Sequence, residues 1–328
     1  MTPASAAPRS LVAPTLDEIR AARERISDVA VRTPLVRLHV DAPAEVWLKL
    51  ENLQPIGSFK LRGATNAMRL VPRQRLERGV YTASAGNMAQ GVAWSARLLG
   101  VPCDVVVPAH APQTKLAAIE RLGARTTKLP FDEWWRVIVD HVFEPMQDRA
   151  FIHPVSDRAV IAGNGTIGLE ILEDLPDVET VVVPYGGGGL SCGIAAAIRA
   201  LRPDVSVYAA EVETAAPLAA SLAAGGPQSN SPYIASFVDG IGSTSVLAEM
   251  WPLATTLLAG SLVSPLAEVA AAVRLLVERA RVVAEGAGAA AVAAALAGQA
   301  GGGKIVCVVS GGNIDVAKLA VILQGGVP

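Results

Sequence analysis

Lys60, at the start of a predicted helix, is the side chain of this sequence best suited to covalent chemistry. Gly57 and Ser58 precede it, and because Ser58 is a suitable N-cap, we expect Lys60 in the first helical turn. A cation is unfavourable at that end of the helix dipole, which lowers the pKa of the amine and favours its nucleophilic form. Such an amine forms Schiff bases with carbonyl compounds. Most helix lysines are solvated and inert, so other residues must decide whether Lys60 is functional.

A second group of residues favours the binding of an anion. Gly186, Gly187, Gly188 and Gly189 follow a valine-rich predicted strand, and Leu190 continues into an alanine-rich helix. Glycines let the backbone approach an anion closely, and the N–H groups and dipole of a helix N-terminus attract negative charge. A packing turn is the alternative. The pattern predicts a phosphate site between strand and helix.

Two nucleotide-binding motifs are excluded by their spacing. A dinucleotide fingerprint that starts from Gly187 and Gly189 needs a third glycine where the chain has Cys192. The segment 298–304 has the glycine and lysine spacing of a P-loop, but Ile305 stands where Ser or Thr is required. That loop also precedes its predicted strand instead of following it, so we reject both interpretations.

Two polar loops also follow predicted strands. Ser84 and Asn87, within SAGN, come after the strand 79–83 and present a hydroxyl and backbone N–H groups at a helix start. This arrangement suits the carboxylate of an amino acid. Ser310 follows the strand 304–309 within SGGN, where a simple strand-end turn is the alternative.

Together these segments resemble the motifs of the fold-type II pyridoxal-phosphate enzymes, in the threonine/serine dehydratase and serine racemase branch. The segment 58–64 (SFKLRGA) is similar to the cofactor-lysine motif, and 84–90 (SAGNMAQ) to the substrate-carboxylate loop. The glycines of 186–189 resemble the phosphate loop, and 310–313 (SGGN) the pyridine-nitrogen loop. The four motifs occur in the order and spacing of that family, and the similarity extends over about residues 15–325.

The resemblance implies that pyridoxal 5′-phosphate is bound to Lys60, which the substrate amine displaces and which then takes the α-proton. Ser84 is the second catalytic candidate. Asn87 is expected beside the phenolic oxygen of the cofactor, and Ser310 beside its pyridine nitrogen. The other implied cofactor-binding residues are Phe59, Gly186, Gly187, Gly188, Gly189, Leu190 and Gly311. The implied substrate-binding residues are Ser84, Ala85, Gly86, Asn87, Asp239 and Gly240.

Weaker signals surround these motifs. Gln90, Glu285 and Asn313 resemble a polar network near the cofactor ring, although a helix-cap carboxylate is an equal alternative for Glu285. The sequence Asp-Gly at 239–240 resembles a family loop near the site, but it is also a common turn. His153 is expected to be structural.

Two positions favour β-elimination over racemisation. The hydroxyl of Ser310 is a much weaker acid than a carboxylic acid, so it leaves the pyridine nitrogen largely neutral and the cofactor a weaker electron sink. The racemase pattern has a serine just before the glycine of the carboxylate loop, and Ala85 in its place cannot transfer a proton. Met88 replaces the usual histidine of the dehydratase loop, which indicates altered packing or a bulkier substrate.

We therefore expect an ammonia-lyase that converts L-threonine, L-serine or a bulkier β-hydroxy amino acid to a 2-oxo acid and ammonia. The alternatives are cysteine-synthase-like β-replacement, an amino-acid racemase, and a non-catalytic amino-acid sensor on the same fold. No resident metal is expected. Glu211 resembles a ligand of the divalent-metal site of the family, but Pro217 replaces the acidic ligand six residues later.

The bulk composition excludes other classes of function. The 328 residues carry a net charge of −2 with no basic stretch, which argues against nucleic acid and anionic membranes as partners. Much of the apolar content is alanine, and no stretch reaches the roughly 20 apolar residues that a spanning helix needs. Three separated cysteines predict buried thiols in a reducing cytoplasm. They are Cys103, Cys192 and Cys307.

Short valine-rich runs alternate with helical patterns, which predicts an α/β fold with parallel sheets. The predicted strands are 46–50, 79–83, 103–107, 126–129, 180–184, 205–210 and 304–309. The predicted helices are 15–30, 88–99, 114–122, 165–172, 190–201 and 265–279. Thr15 and Glu18 form the sequence pattern of a capping box for the first helix.

The resemblance implies a two-domain, tryptophan-synthase-beta-like architecture in which each domain has a mostly parallel sheet flanked by helices. We expect a flexible tail (1–14), a large cofactor-binding domain (15–65 and 154–328) and a small substrate-loop domain (66–153). The sequence ends about 15 residues after Asn313, so no C-terminal regulatory domain is expected. A homodimer is expected from the resemblance alone.

Overall fold

The computed structural model describes residues 11–229 and 231–328, so most of the predicted tail (1–14) lies outside the described residues. The strands in this part of the chain are β1 (Leu35–Arg37), β2 (Glu45–Lys49), β3 (Val80–Ala83), β4 (Cys103–Pro108), β5 (Arg125–Leu129), β6 (Ala150–Phe151), β7 (Thr180–Pro184), β8 (Ser206–Val212), β9 (Gly260–Ser264) and β10 (Lys304–Val308). The helices are α1 (Leu16–Ile26), α2 (Lys60–Leu70), α3 (Arg73–Leu76), α4 (Asn87–Leu99), α5 (Gln113–Arg121), α6 (Phe131–Asp140), α7 (Arg158–Asp174), α8 (Gly189–Leu201), α9 (Pro217–Ala224), α10 (Trp251–Leu257), α11 (Leu266–Leu275), α12 (Gly286–Leu296) and α13 (Val316–Leu323).

The strands form two sheets. The larger has the order β1-β2-β10-β7-β8-β9, and it is parallel except where β1 pairs with β2. The smaller is parallel throughout, with the order β5-β4-β3-β6. The predicted α/β class with mostly parallel sheets flanked by helices is confirmed. All strands of the smaller sheet fall within 66–153, and the boundaries of the two domains stay a prediction.

The predicted strands are all present, with ends that differ by at most two residues. Three further strands, β1, β6 and β9, have no counterpart in the sequence prediction, and each lies at an edge of its sheet. Edge strands are covered on fewer sides, so they lack the run of buried valines that marks β7.

The predicted helices are also present, with corrections to their ends. The capping box of α1 is confirmed, since Thr15 Oγ1 accepts the N–H of Glu18 while Glu18 Oε2 accepts the N–H of Thr15. This helix ends at Ile26 rather than at residue 30. The predicted segment 165–172 is the middle of α7, which begins at Arg158 and has Asp157 as its N-cap. The segment 265–279 is α11 followed by a π-helical turn over Leu276–Ala280.

Much of the alanine of the chain lies in α12. Its residues from Gly286 to Ala295 are buried, and they pack with β7 and β10 in the core of the larger sheet. In residues 11–229 and 231–328, no helix has the length and apolar character needed to cross a membrane.

The carboxyl ends of β3, β7 and β10 lead directly into the three predicted ligand loops, 84–87, 186–189 and 310–313. Ligands of parallel α/β sheets bind at this end of the strands, because loops and helix N-termini converge there. The topology thus brings together segments that are far apart in sequence.

Candidate active site

The cofactor-lysine segment is held by the loop that follows β10. The N–H of Phe59 donates to the carbonyl of Ser310 at 3.0 Å, and the N–H of Gly312 donates to the carbonyl of Gly57 at 2.9 Å. Ser58 forms an isolated antiparallel bridge with Gly311. These backbone contacts fix the start of α2 against the predicted pyridine-nitrogen loop.

Lys60 is the first residue of α2, which confirms its predicted place in the first turn. The predicted cap is wrong: Phe59 occupies the N-cap position, and Ser58 only accepts the N–H of Lys60 at a long 3.4 Å. Ser58 is fully buried in the bridge to the β10 loop, and this tertiary contact replaces the local cap.

The amine of Lys60 is poised for nucleophilic chemistry. Its Nζ donates to the carbonyl of Pro154 at 2.7 Å. Burial lowers the pKa of Lys60 to about 8, against a smaller opposing effect of the Glu285 carboxylate. The predicted direction of the pKa shift is therefore correct, but burial is its main cause instead of the helix dipole. The neutral fraction of the amine at neutral pH is a minority, but it is much larger than that of an ordinary lysine and can attack a carbonyl carbon.

Asn87, Glu285 and Asn313 form a continuous hydrogen-bonded chain. Asn87 Nδ2 donates to Glu285 Oε1 at 2.8 Å, and Asn313 Nδ2 donates to Asn87 Oδ1 at 2.8 Å. Asn313 Nδ2 also donates to the carbonyl of Ile56 at 2.9 Å, which ties the chain to the lysine segment. Gln90 lies one turn further along α4, where its backbone N–H donates to the carbonyl of Gly86 at 3.3 Å.

Glu285 is a buried carboxyl in this chain, 7% exposed. It occupies the N-cap position of α12, yet its side chain makes no capping hydrogen bond there, which disfavours the helix-cap alternative. Burial and the nearby Asp239 carboxylate raise the pKa of Glu285 to about 7, while the hydrogen bond from Asn87 acts in the opposite direction. Glu285 therefore titrates near neutral pH beside the predicted ring site.

The loop after β10 needs glycine for close packing. A Cβ atom at Gly311 would lie 2.5 Å from Glu285 Oε1 and 3.3 Å from Asn87 Nδ2. A Cβ atom at Gly288 would lie 2.5 Å from the carbonyl oxygen of Gly311. The two distances of 2.5 Å are shorter than real Cβ contacts, so backbone and polar side chains come together here with no room for a side chain on either glycine.

The four-glycine loop opens α8, as predicted. Gly188, at φ +92°, is the N-cap of α8, and a Cβ atom there would lie 3.0 Å from the Tyr185 ring. A Cβ atom at Gly187 would lie 2.6 Å from Val155 Cγ1, and one at Gly189 2.8 Å from the Val155 carbonyl oxygen. The first-turn N–H groups of α8 have no carbonyl in a preceding turn, so they are available to an anion.

The carboxylate loop lies between β3 and α4. The N–H of Ser84 donates to the carbonyl of Val106 at 3.1 Å, and Ser84 Oγ accepts the N–H of Gly86 at 3.2 Å. Asn87 begins α4 without a side-chain cap, which leaves first-turn N–H groups for a ligand. Met88 is 1% exposed and packs in the core of the smaller sheet, which favours altered packing as the interpretation of the missing histidine.

Asp239 and Gly240 connect this site to the smaller sheet. Lys115 Nζ on α5 donates to Asp239 Oδ2 at 2.6 Å, although both side chains are partly exposed. A Cβ atom at Gly240 would lie 3.4 Å from Glu285 Oε1, and one at Gly186 3.3 Å from the carbonyl oxygen of Gly240. The Asp-Gly turn therefore lies between the glycine loop and Glu285.

Glu211, the weak metal candidate, is engaged in other contacts. Its Oε1 accepts the N–H of Leu218 and its Oε2 the N–H of Ala219, each at 2.8 Å. Ser261 Oγ donates to the same Oε2 at 2.6 Å. The carboxylate holds the start of α9, which begins at Pro217. The described residues contain no group of three or more His, Cys, Asp or Glu arranged to hold a metal ion.

Known proteins show the family to which this chain is related. The family model described as pyridoxal-phosphate dependent enzyme matches residues 26–311. The chain belongs to this family. The L-threonine ammonia-lyase of Thermotoga maritima is 40% identical over 320 residues, which cover 95% of this chain and 79% of that protein.

Two solved structures extend the similarity to the fold. Maize serine racemase has a TM-score of 0.86 and 31% identity, with 95% of this chain and 98% of that chain covered. The processed form of threonine deaminase isoform 2 from Solanum lycopersicum has a TM-score of 0.85 and 31% identity, with 98% of each chain covered. The fold-type II architecture, the pyridoxal phosphate cofactor and the class of cofactor-dependent ammonia-lyase are confirmed.

The residues of this pyridoxal-phosphate dependent enzyme fit its cofactor. Lys60 supplies an amine with a lowered pKa, which suits condensation with an aldehyde. The α8 N-terminus supplies N–H groups in a cradle that side chains on Gly187 or Gly189 would fill. Asn87 supplies an amide for a phenolic oxygen, and Ser310 a hydroxyl for a ring nitrogen. These assignments of individual residues remain proposals.

Sequence reasoning missed a buried ionic network directly beside Lys60. Arg62, 2% exposed, donates from Nε and Nη2 to the two carboxylate oxygens of Glu51, each at 2.8 Å. It also donates to both oxygens of Glu170, which in turn accepts from Lys49 Nζ at 2.6 Å. An arginine between Leu61 and Gly63 in an otherwise small, apolar segment was a sequence signal for such a pair.

Proposed function

We propose that this protein dehydrates a β-hydroxy amino acid such as L-threonine, L-serine or a bulkier relative, releasing a 2-oxo acid and ammonia. The observation that carries the proposal is the Lys60 amine, held by the carbonyl of Pro154 with its pKa lowered to about 8. The L-threonine ammonia-lyase of Thermotoga maritima, which aligns along 95% of this chain, supports the choice of substrate class.

Each loop of the site has a task in this reaction. Bound pyridoxal phosphate would supply an electron sink for the bond that breaks at the substrate α-carbon. Lys60 would hold the cofactor through its amine and would take the α-proton of the substrate as a general base. The first turn of α8 would hold the phosphate, and the loop 84–87 would orient the substrate carboxylate through its N–H groups.

The hydrogen-bonded chain of Asn87, Glu285 and Asn313 would lie at the cofactor ring, and the weakly acidic hydroxyl of Ser310 would lie at the ring nitrogen. Asn87 would donate to the phenolic oxygen, and its hydrogen bonds with Glu285 and Asn313 support this role because they orient its amide. The hydroxyl of Ser310 would leave the ring nitrogen largely neutral, so the cofactor would be a weaker electron sink, which favours β-elimination over racemisation.

Racemisation is the second candidate because serine racemases share the fold, as the maize protein does at 31% identity. A racemase needs proton donors on both faces of the α-carbon. Ala85 lies in the carboxylate loop between Ser84 and Gly86, and its methyl side chain cannot donate or accept a proton. Incubation with L-serine should therefore yield pyruvate and ammonia, and D-serine formation at a comparable rate would favour the racemase.

The decisive experiment is a substrate-range assay on the purified holoenzyme. L-Threonine, L-serine and L-phenylserine are incubated separately, and release of 2-oxo acid and ammonia is followed. The proposal fails if none of them yields a 2-oxo acid although the cofactor is bound. Product formation from O-acetylserine plus sulfide would favour β-replacement, and tight amino-acid binding without turnover would favour a sensor.

The cysteines bear on the cellular setting of the protein. Cys103, Cys192 and Cys307 are buried free thiols, and burial raises the pKa of Cys103 and of Cys192 to about 12. Unreactive, unpaired cysteines support a reducing cytoplasm. A homodimer rests on the resemblance alone, and sedimentation analysis of the holoenzyme tests it.

A further inference from the structure

The turn formed by residues 153–156, between β6 and α7, contacts two parts of the site at once. The carbonyl of Pro154 accepts the amine of Lys60 at 2.7 Å. The next residue, Val155, lies against the glycine loop, since Cβ atoms at Gly187 and Gly189 would meet it at 2.6 and 2.8 Å. The position of this turn therefore sets where the lysine amine lies relative to the phosphate loop.

The imidazole of His153 holds this turn from within. Its Nδ1 accepts the N–H of Val155 at 3.1 Å and the N–H of Ser156 at 2.7 Å. Its Nε2 lies 3.1 Å from the carbonyl of Ile138, so the hydrogen-bond partners assign the proton to Nε2. Burial and the neighbouring His141 lower the pKa of His153 to about 3, so Nδ1 keeps its lone pair throughout the working range of pH.

A second imidazole extends the cluster through side chains. The ring of His141 stacks on that of His153 at a centroid distance of 4.1 Å. His141 Nε2 lies 3.3 Å from both Ser156 Oγ and Glu249 Oε1, and Ser156 Oγ donates to the same Glu249 oxygen at 2.8 Å. His141 therefore belongs to the same buried cluster, while the turn's backbone N–H groups are accepted by His153.

We propose that His153 is a positioning residue for Lys60: by accepting the N–H groups of Val155 and Ser156, it holds the Pro154 carbonyl where it receives the lysine amine during turnover. The inference rests on the proposed function, in which Lys60 leaves the cofactor and then takes the α-proton. A neutral amine that donates one hydrogen to Pro154 keeps its lone pair for that proton. The resulting ammonium keeps the same acceptor, so the transfer needs no other co-reactant.

Three variants of the holoenzyme separate positioning from packing. His153→Leu keeps most of the volume but removes the acceptor, whereas His153→Asn keeps an acceptor oxygen near the position of Nδ1. His141→Asn is the matched control, because it removes an imidazole from the same cluster. Its backbone lies in the left-handed region (φ 59°), which asparagine tolerates.

We expect His153→Leu to lower kcat at least about tenfold with KM changed by less than about threefold, because a misplaced catalytic base slows the chemical step. His153→Asn and His141→Asn should keep kcat within about threefold. Hydrogen exchange of the holoenzyme gives a readout independent of turnover. The amides of Val155 and Ser156 should exchange faster in His153→Leu and stay protected in the other two variants.

The proposal is overturned if His153→Leu and His153→Asn lose kcat equally and in step with Tm, or if His153→Leu keeps the wild-type kcat. If His153→Leu does not fold, His153→Asn decides: protected amides and a retained kcat support the proposal, and a loss beyond about tenfold overturns it. If wild-type enzyme turns over no β-hydroxy amino acid, the proposed function fails, while hydrogen exchange and the absorbance of the lysine-bound cofactor still test the turn.

Discussion

Asn87 Nδ2 donates to Glu285 Oε1 at 2.8 Å, although the two residues are 198 positions apart in the sequence. Asn87 begins α4 beside the smaller sheet, whereas Glu285 immediately precedes α12 in the core of the larger one. The hydrogen bond favours the ionised carboxylate, but burial and the neighbouring Asp239 oppose ionisation more strongly. The hydrogen bond between the start of α4 and the residue before α12 thus involves a carboxyl group that titrates near neutral pH.

Glu285→Gln should stabilise the cofactor-free protein at about pH 8 more than at about pH 5. The folded state holds the Glu285 proton up to about pH 7, whereas the unfolded chain releases it near the ordinary value of 4.5. Wild-type stability therefore falls as pH rises through this window, by at most about 3 kcal/mol. Glutamine has nearly the same shape as glutamic acid but no proton to release in this range of pH.

Urea unfolding of both proteins at the two pH values measures this effect. Glu77→Gln, at an exposed surface pair with Arg73, serves as the control and should show no comparable pH dependence. An equal stability difference between wild type and Glu285→Gln at both pH values would contradict the raised pKa.

Arg62→Met should destabilise the protein by about 3–5 kcal/mol, because it removes the ion-pair partner of the buried Glu51 carboxylate and leaves Glu170 with Lys49 alone. The control is Arg73→Met, at a surface pair with Glu77 whose side chains are 64% and 60% exposed. Loss of such a pair costs about 1 kcal/mol or less. The free energy of unfolding in urea measures both. If the two variants lost similar amounts of unfolding free energy, the buried network would contribute no more to stability than the surface pair.

The central strands and ligand loops were visible in the sequence because their signals are local. β7, with all of its residues buried, contains three consecutive valines, and four glycines follow it after Tyr185. The edge strands β1 and β9 are only partly buried and carry no such pattern, so they were missed. Local signals also misled at Ser58, where contact with Gly311 replaces the expected helix cap.

The partners of the site residues could not be predicted in the same way. A backbone carbonyl such as that of Pro154 has no sequence signature, yet it holds Lys60 across 94 positions. Arg62 lies within the lysine motif, but its partner Glu170 lies 108 positions away. Only the packing of α2 against α7 brings these groups together.

Gly187→Ala should weaken cofactor retention at least about tenfold, since its Cβ atom would lie 2.6 Å from Val155 Cγ1 and displace the phosphate loop or the turn behind it. Gly226→Ala is the control, because a Cβ atom there meets nothing within 4 Å and its φ is not in the left-handed region. Equilibrium dialysis of pyridoxal phosphate measures retention. If Gly187→Ala bound pyridoxal phosphate with wild-type affinity, the glycine loop would not be part of the cofactor site.

Lys60→Ala should abolish both the absorbance of the lysine-bound cofactor near the edge of the visible range and the release of 2-oxo acid. The covalent bond and the general base are lost together, and a base alone contributes about a hundredfold or more to the rate. The control is Lys128→Ala, at an exposed lysine on β5, which should keep both properties. Absorbance spectra and product assays on the two purified variants decide the matter. If Lys60→Ala retained the absorbance and the turnover, Lys60 would not be the cofactor lysine, and the raised nucleophilicity of its buried amine would need another explanation.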